Sequence, residues 1–165
     1  MVKVYLLGAD PRKHAIVLTG ASCSGKSTVA GFMANIFSSH TLSQNTGGFE
    51  DEMEREDAHK QFLIIDEANM YSLFGKKHLH DTKKLLEGKG MSVRNKYAHP
   101  FRGFEGCKTL ITCNNLPYPF RIPVSSTAGF DIGEYENDKY AITSRTEVVE
   151  MDKSFNRPGL EFPFT

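Results

Sequence analysis

The chain has 165 residues and a mass of 18.5 kDa, with 39% hydrophobic and 24% charged residues, which suits one domain with a packed core and excludes global disorder. Twenty basic residues balance twenty acidic ones, so a uniformly basic nucleic-acid binder is excluded as well. No apolar run nears the ~20 residues that span a bilayer, no signal-peptide pattern opens the chain, and its three cysteines (Cys23, Cys107, Cys113) are an odd number at no metal-ligand spacing, which points to a soluble protein in a reducing compartment.

Ala15 to Thr19 (AIVLT) is a short apolar, β-branched run that ends in a glycine loop and predicts a buried strand. Val29, Phe32, Met33 and Ile36 then recur at helical spacing, so a helix is expected over Lys26 to Phe37. Thr41 to Asp57 is polar and then acidic, interrupted by Gly47-Gly48, and reads as a loop with a short element. Phe62 to Ile65 (FLII) is a second apolar strand, ending in Asp66-Glu67. Lys77 to Leu86 predicts an amphipathic helix closed by Gly88, whereas Gly88 to Gly106 shows no periodicity. Thr109 to Thr112 (TLIT) is a third apolar strand, ending in Asn114-Asn115. Pro117 to Gly133 reads as a loop, Tyr140 to Met151 as a strand or strand pair, and the segment from Asp152 as an extended tail.

Three buried strands separated by helical segments predict an α/β fold with a central parallel sheet flanked by helices, and ligands then bind off the carboxyl ends of the strands. Charge is uneven along this frame. Gly47 to Met70 carries eight acidic and two basic residues, and Lys76 to Arg102 carries eight basic and two acidic ones. The second stretch is either a phosphate-backbone contact or a solvated helix face.

Gly20-Ala21-Ser22-Cys23-Ser24-Gly25-Lys26-Ser27 fits the phosphate-binding loop pattern G-x-x-x-x-G-K-[ST], followed by Thr28 in the helix. Glycines let the backbone curl so that successive N–H groups face inward, and the helix that follows adds positive potential. Lys26 is expected to reach the β- and γ-phosphates of ATP and Ser27 to ligate Mg²⁺. An apolar strand that delivers two carboxylates suits the same chemistry: Asp66 for the magnesium shell and Glu67 for the attacking water. Asn114 ends the third strand, where an amide can bond both γ-phosphate and water; Asn115 serves equally as a turn residue. Between these motifs, Leu86 to Tyr97 with His99, Phe101 and Arg102 interleaves basic and aromatic side chains. Such a segment suits single-strand contact, or equally a surface hairpin whose aromatics pack on the domain.

In this order the motifs resemble the superfamily 3 helicases, the AAA+ type replication ATPases of viruses, most closely those of papillomaviruses and parvoviruses. The resemblance spans roughly Leu6 to Met151 and implies a P-loop NTPase fold, AAA+ like, with residues 1–151 as the ATPase domain and 152–165 as a tail. It implies ATP hydrolysis at the subunit interfaces of a hexameric ring moving on single-stranded DNA. Lys96 matches the hairpin lysine that contacts DNA, flanked by Arg94 and by Tyr97, which stands where papillomavirus-type members carry histidine. Asn114 matches the sensor asparagine. Arg145, in Lys139 to Arg145, matches the arginine finger that serves a neighbouring subunit's ATP, and Arg121 is a poorer alternative with no motif around it.

Upstream oligomerising and origin-binding segments of such initiators do not fit before the first strand, so the isolated domain is expected to be mainly monomeric at micromolar concentration, and a full-length viral protein is expected in a host nucleus. His78, His80 and Asp81 read as solvent-facing helix residues rather than a metal site. Two rival classes share the loop: a small P-loop kinase, and a nucleotide-dependent assembly or packaging ATPase.

Overall fold

The computed structural model describes residues 15–42, 59–69, 73–74, 79–93, 101–116 and 132–151. Its centre is a five-stranded sheet built from β1 (Ala15–Gly20), β2 (Ser39–Leu42), β3 (Phe62–Ile65), β6 (Lys108–Cys113) and β7 (Thr146–Met151). The strand order is β2-β3-β6-β1-β7 and every pairing is parallel. The expected α/β class and its three apolar strands are therefore present, and those three occupy the middle of the sheet. Their lack of alternation follows from burial on both faces.

One face packs Ile16, Leu18, Phe62, Ile64 and Leu110 against helix α1 (Lys26–Ile36), which contributes Ala30 and Met33. The other packs Val17, Leu63, Ile65 and Ile111 against helix α2 (Leu79–Leu86) through Leu85, and against Phe104 of the hairpin. Alternation along each strand thus divides the core into two layers. Helix α1 ends where Phe37 turns extended, its N–H still bonded to the Met33 carbonyl at 3.0 Å, and its ring stacks on Phe62 with centroids 4.8 Å apart. Gly88, at φ 65°, closes α2 by donating to the Leu85 carbonyl at 2.9 Å, the left-handed C-terminal cap that only glycine adopts without strain.

Two sequence expectations are corrected. Gly88 to Gly106, which shows no periodicity, forms the hairpin that was one of its two readings: β4 (Lys89–Val93) and β5 (Phe101–Glu105) pair antiparallel, with Lys89 opposite Glu105 and Val93 opposite Phe101. Gly90 hides the pattern, because a Cβ there would lie 2.7 Å from the Gly103 carbonyl oxygen. Tyr140 to Thr143 is not strand but the end of helix α3 (Ile132–Thr143), and only Thr146–Met151 is extended. Ser39–Leu42, of which only Thr41 and Leu42 had a reading, as the start of a loop with a short element, is an edge strand with no apolar run to announce it.

Candidate functional site

The phosphate loop leaves β1 at Gly20 and enters α1 at Lys26, as its sequence requires. Gly20 has φ 147°, and a Cβ on it would sit 2.1 Å from the Met151 carbonyl oxygen, so β7 can lie beside this turn only because the residue is glycine. Cys23 and Gly25 are also left-handed, at φ 60° and 89°. Alternating backbone handedness of this kind forms an anion-binding concavity, and the loop joins it to the positive end of α1, whose first turn carries no acidic residue.

Lys26 is 7% exposed, and its ammonium donates to the carbonyls of Gly20 (2.9 Å) and Ala21 (2.7 Å) and to Ser24 Oγ (3.1 Å). All three acceptors are neutral. A buried cation held by neutral groups alone is poised for an anionic partner.

The carboxyl ends of β3 and β6 face the loop. Asp66 Oδ1 accepts from Ser27 Oγ at 3.4 Å and from Thr112 Oγ1 at 2.6 Å. The same Thr112 hydroxyl accepts from the Glu67 N–H at 2.8 Å. A cavity of about 200 Å³ lies between these elements, lined by Ser22 to Thr28 from the loop side, by Glu67, and by Thr112, Cys113 and Asn114 from β6 and its end. Lys26, Ser27, Asp66, Glu67 and Asn114, expected together from sequence, are thus gathered at the carboxyl ends of the sheet's central strands. Asn115 is exposed and does not line the cavity.

Hydroxyl and carboxylate oxygens are hard donors, and Ser27 with Asp66 supplies the few protein ligands that Mg²⁺ takes when phosphates complete its shell. Among the described residues no group of three or more His, Cys, Asp or Glu side chains could hold a metal unaided.

Thr112 is the residue that sequence reasoning missed. The available signal was a polar side chain two positions before Asn114 in an apolar strand, hence on the same side of β6.

Arg145 is elsewhere. Its carbonyl accepts from the N–H of Ala15 at 3.4 Å, so it lies at the opposite end of β1 from the loop, roughly 16–20 Å away along six strand residues. Its guanidinium donates to the Ala141 carbonyl at 2.5 Å and pairs with Glu87 at 2.8 Å. Glu87 also pairs with Lys89 at 2.6 Å, and this bond, opposed in part by burial and helped by Arg145, holds its carboxyl below the usual range. Arg94, Lys96, Tyr97, His78 and Arg121 lie outside the described residues; the first three belong to the seven-residue connection between β4 and β5.

A family model of unknown function, DUF5906, matches residues 18–127. The chain belongs to the DUF5906 family. In this member the matched region takes in the phosphate loop, both carboxylates, the hairpin and Asn114. No curated protein matches the sequence. Two apo A-form structures of the NrS-1 C-terminal region are similar to this DUF5906 chain. One has TM-score 0.55 at 14% identity over 96% of this chain and 35% of that one, the other 0.53 at 12% over 98% and 34%. A JCV helicase bound to a small molecule reaches 0.47 at 13% over 90% and 38%. At these identities the NrS-1 likeness establishes the fold alone. The chain spans about a third of the NrS-1 chains it matches.

Proposed function

We propose that this chain is the ATPase motor domain of a replication helicase of the superfamily 3 type, hydrolysing ATP with Mg²⁺ and acting on single-stranded DNA as a ring of subunits. The observation that carries the reading is the convergence of Ser27 and Thr112 on one oxygen of Asp66, with the buried ammonium of Lys26, Glu67 and Asn114 around the same cavity. Phosphoryl transfer needs positioning and charge stabilisation above all, and these groups supply both.

On binding, triphosphate oxygens replace the loop carbonyls as acceptors for Lys26 and take the inward N–H groups of the loop. Mg²⁺, when bound, neutralises charge that develops on the phosphates. Ser27 and Asp66 are the residues that would hold it. Glu67 is exposed and borders the cavity, where its carboxylate orients the attacking water, and Asn114 bonds the γ-phosphate beside it.

Arg145 lies too far from the phosphate loop of its own chain to serve it, so as an arginine finger it would act on a neighbour's ATP. In that role it exchanges Glu87 for a neighbour's γ-phosphate. The hairpin connection carrying Arg94, Lys96 and Tyr97 is the proposed DNA contact.

ATP turnover per subunit, measured across a protein titration with single-stranded DNA present, tests this. Specific activity is expected to rise with concentration and to be lost in Lys26→Ala and Arg145→Ala. Concentration-independent hydrolysis indifferent to Arg145 contradicts the ring, and transfer of labelled γ-phosphate to a small molecule instead of water makes the protein a kinase.

A further inference from the structure

Thr112 is 1% exposed, and its side chain is engaged on both sides. The hydroxyl donates to Asp66 Oδ1 and accepts from the Glu67 N–H, while the Thr112 carbonyl accepts from the Ala68 N–H at 2.7 Å. One residue of β6 therefore fixes three consecutive residues beyond β3. The hydroxyl has a single proton, and the Glu67 amide can only donate, so that proton is directed at Asp66.

Strand pairing does not require this arrangement. β3 and β6 pair from Phe62 opposite Lys108 to Ile65 opposite Ile111, and the Thr112 bonds lie past the last of these pairs. Glu67 has φ 52°, a left-handed conformation that a non-glycine residue keeps only where its surroundings hold it, and the bonds from residues 67 and 68 to Thr112 do so.

We propose that Thr112 is a positioning residue. It turns the Asp66 carboxylate toward Ser27 and sets the backbone that aims Glu67 at the cavity. It thereby links the strand that carries Asn114 to both carboxylates. The inference rests on the nucleotide reading above and adds to it a residue that need not touch the nucleotide.

The test compares Thr112→Val, which keeps the shape and removes the hydroxyl, with Thr112→Ser, which keeps the hydroxyl. Binding of a fluorescent ATP analogue is measured as Mg²⁺ is titrated, with turnover at saturating nucleotide alongside. In Thr112→Val, binding without Mg²⁺ is expected to match wild type, while the Mg²⁺ midpoint rises about tenfold and turnover falls about tenfold or more, the range seen when a ligand's supporting hydrogen bond is removed. Thr112→Ser is expected to restore both. Thr112→Ala repeats the comparison should the valine variant not fold.

A wild-type Mg²⁺ midpoint and turnover in Thr112→Val, with nucleotide still lost in Lys26→Ala, overturns the role of Thr112 and leaves the site intact. Weakened binding without Mg²⁺ overturns it in favour of a purely structural role. Wild-type protein that binds no nucleotide overturns the site and this inference together.

Discussion

At the residue scale, the phosphate loop was legible because its backbone dictates its sequence. Gly20 abuts the Met151 carbonyl and Gly25 is left-handed at the start of α1, positions where a side chain clashes or is strained. Thr112 was not legible, because threonine is an ordinary strand former and its role arises only when β6 is laid beside β3. The cysteines differ in a way that only burial reveals. Cys23 is exposed in the loop, whereas Cys107 and Cys113 are buried, and burial pushes the Cys107 thiol up to about 12 and raises that of Cys113. The Cys107 thiol thus stays protonated at pH 8. A maleimide is therefore expected to label Cys23 quickly and the other two slowly in native protein, with ATP and Mg²⁺ slowing Cys23. Peptide mass spectrometry of the labelled protein reads this directly, and equal Cys23 labelling with and without nucleotide would contradict the loop's assignment.

At the element scale, strands buried on both faces declared themselves as apolar runs, and edge elements did not. Ser39–Leu42 and Thr146–Met151 are the two edges of the sheet, where half of each strand's surroundings differ from those of the core strands. The hairpin was obscured by Gly90, which lets its strands approach closely, yet it is anchored by Phe104, which is fully buried in the core cluster that holds Leu85 and Ile111. Glu87 ties three elements: it follows α2, bonds Lys89 at the base of the hairpin, and pairs with Arg145 between α3 and β7. Lys83 of α2 adds a second link through Asp138 of α3. Because the Glu87 carboxyl is held below its ordinary value, its contribution to stability is present above the unfolded value of about 4.3 and is lost as pH falls through the lower folded value. Thermal melts of wild type and Glu87→Gln are expected to differ most near neutral pH and to converge as pH falls through that lower folded value. Lys89 is largely exposed, so added salt should narrow the gap as well. A gap that persists unchanged at low pH would mean that packing around Glu87, and not its charge, joins these elements.

At the scale of the whole molecule, the parallel sheet explains why chemistry scattered from residue 20 to residue 114 meets at the carboxyl ends of its central strands. β6 lies between β1 and β3, so Thr112 and Asn114 sit between the phosphate loop and the two carboxylates. Strand order is set by packing and crossover connections, which no local motif records. The zero net charge was equally silent, since it hides the run of eight basic residues between Lys76 and Arg102 in the sequence and the acidic pair that follows β3. In the proposed nucleotide site Lys26 binds the phosphates and Glu67 acts on water. Equilibrium binding of a fluorescent ATP analogue to wild type, Lys26→Ala and Glu67→Gln, each with Mg²⁺, tests it most directly. Wild type and Glu67→Gln should bind alike, and Lys26→Ala should bind at least about tenfold more weakly, the loss of a charge-assisted contact. Binding by Lys26→Ala at wild-type affinity would contradict the account.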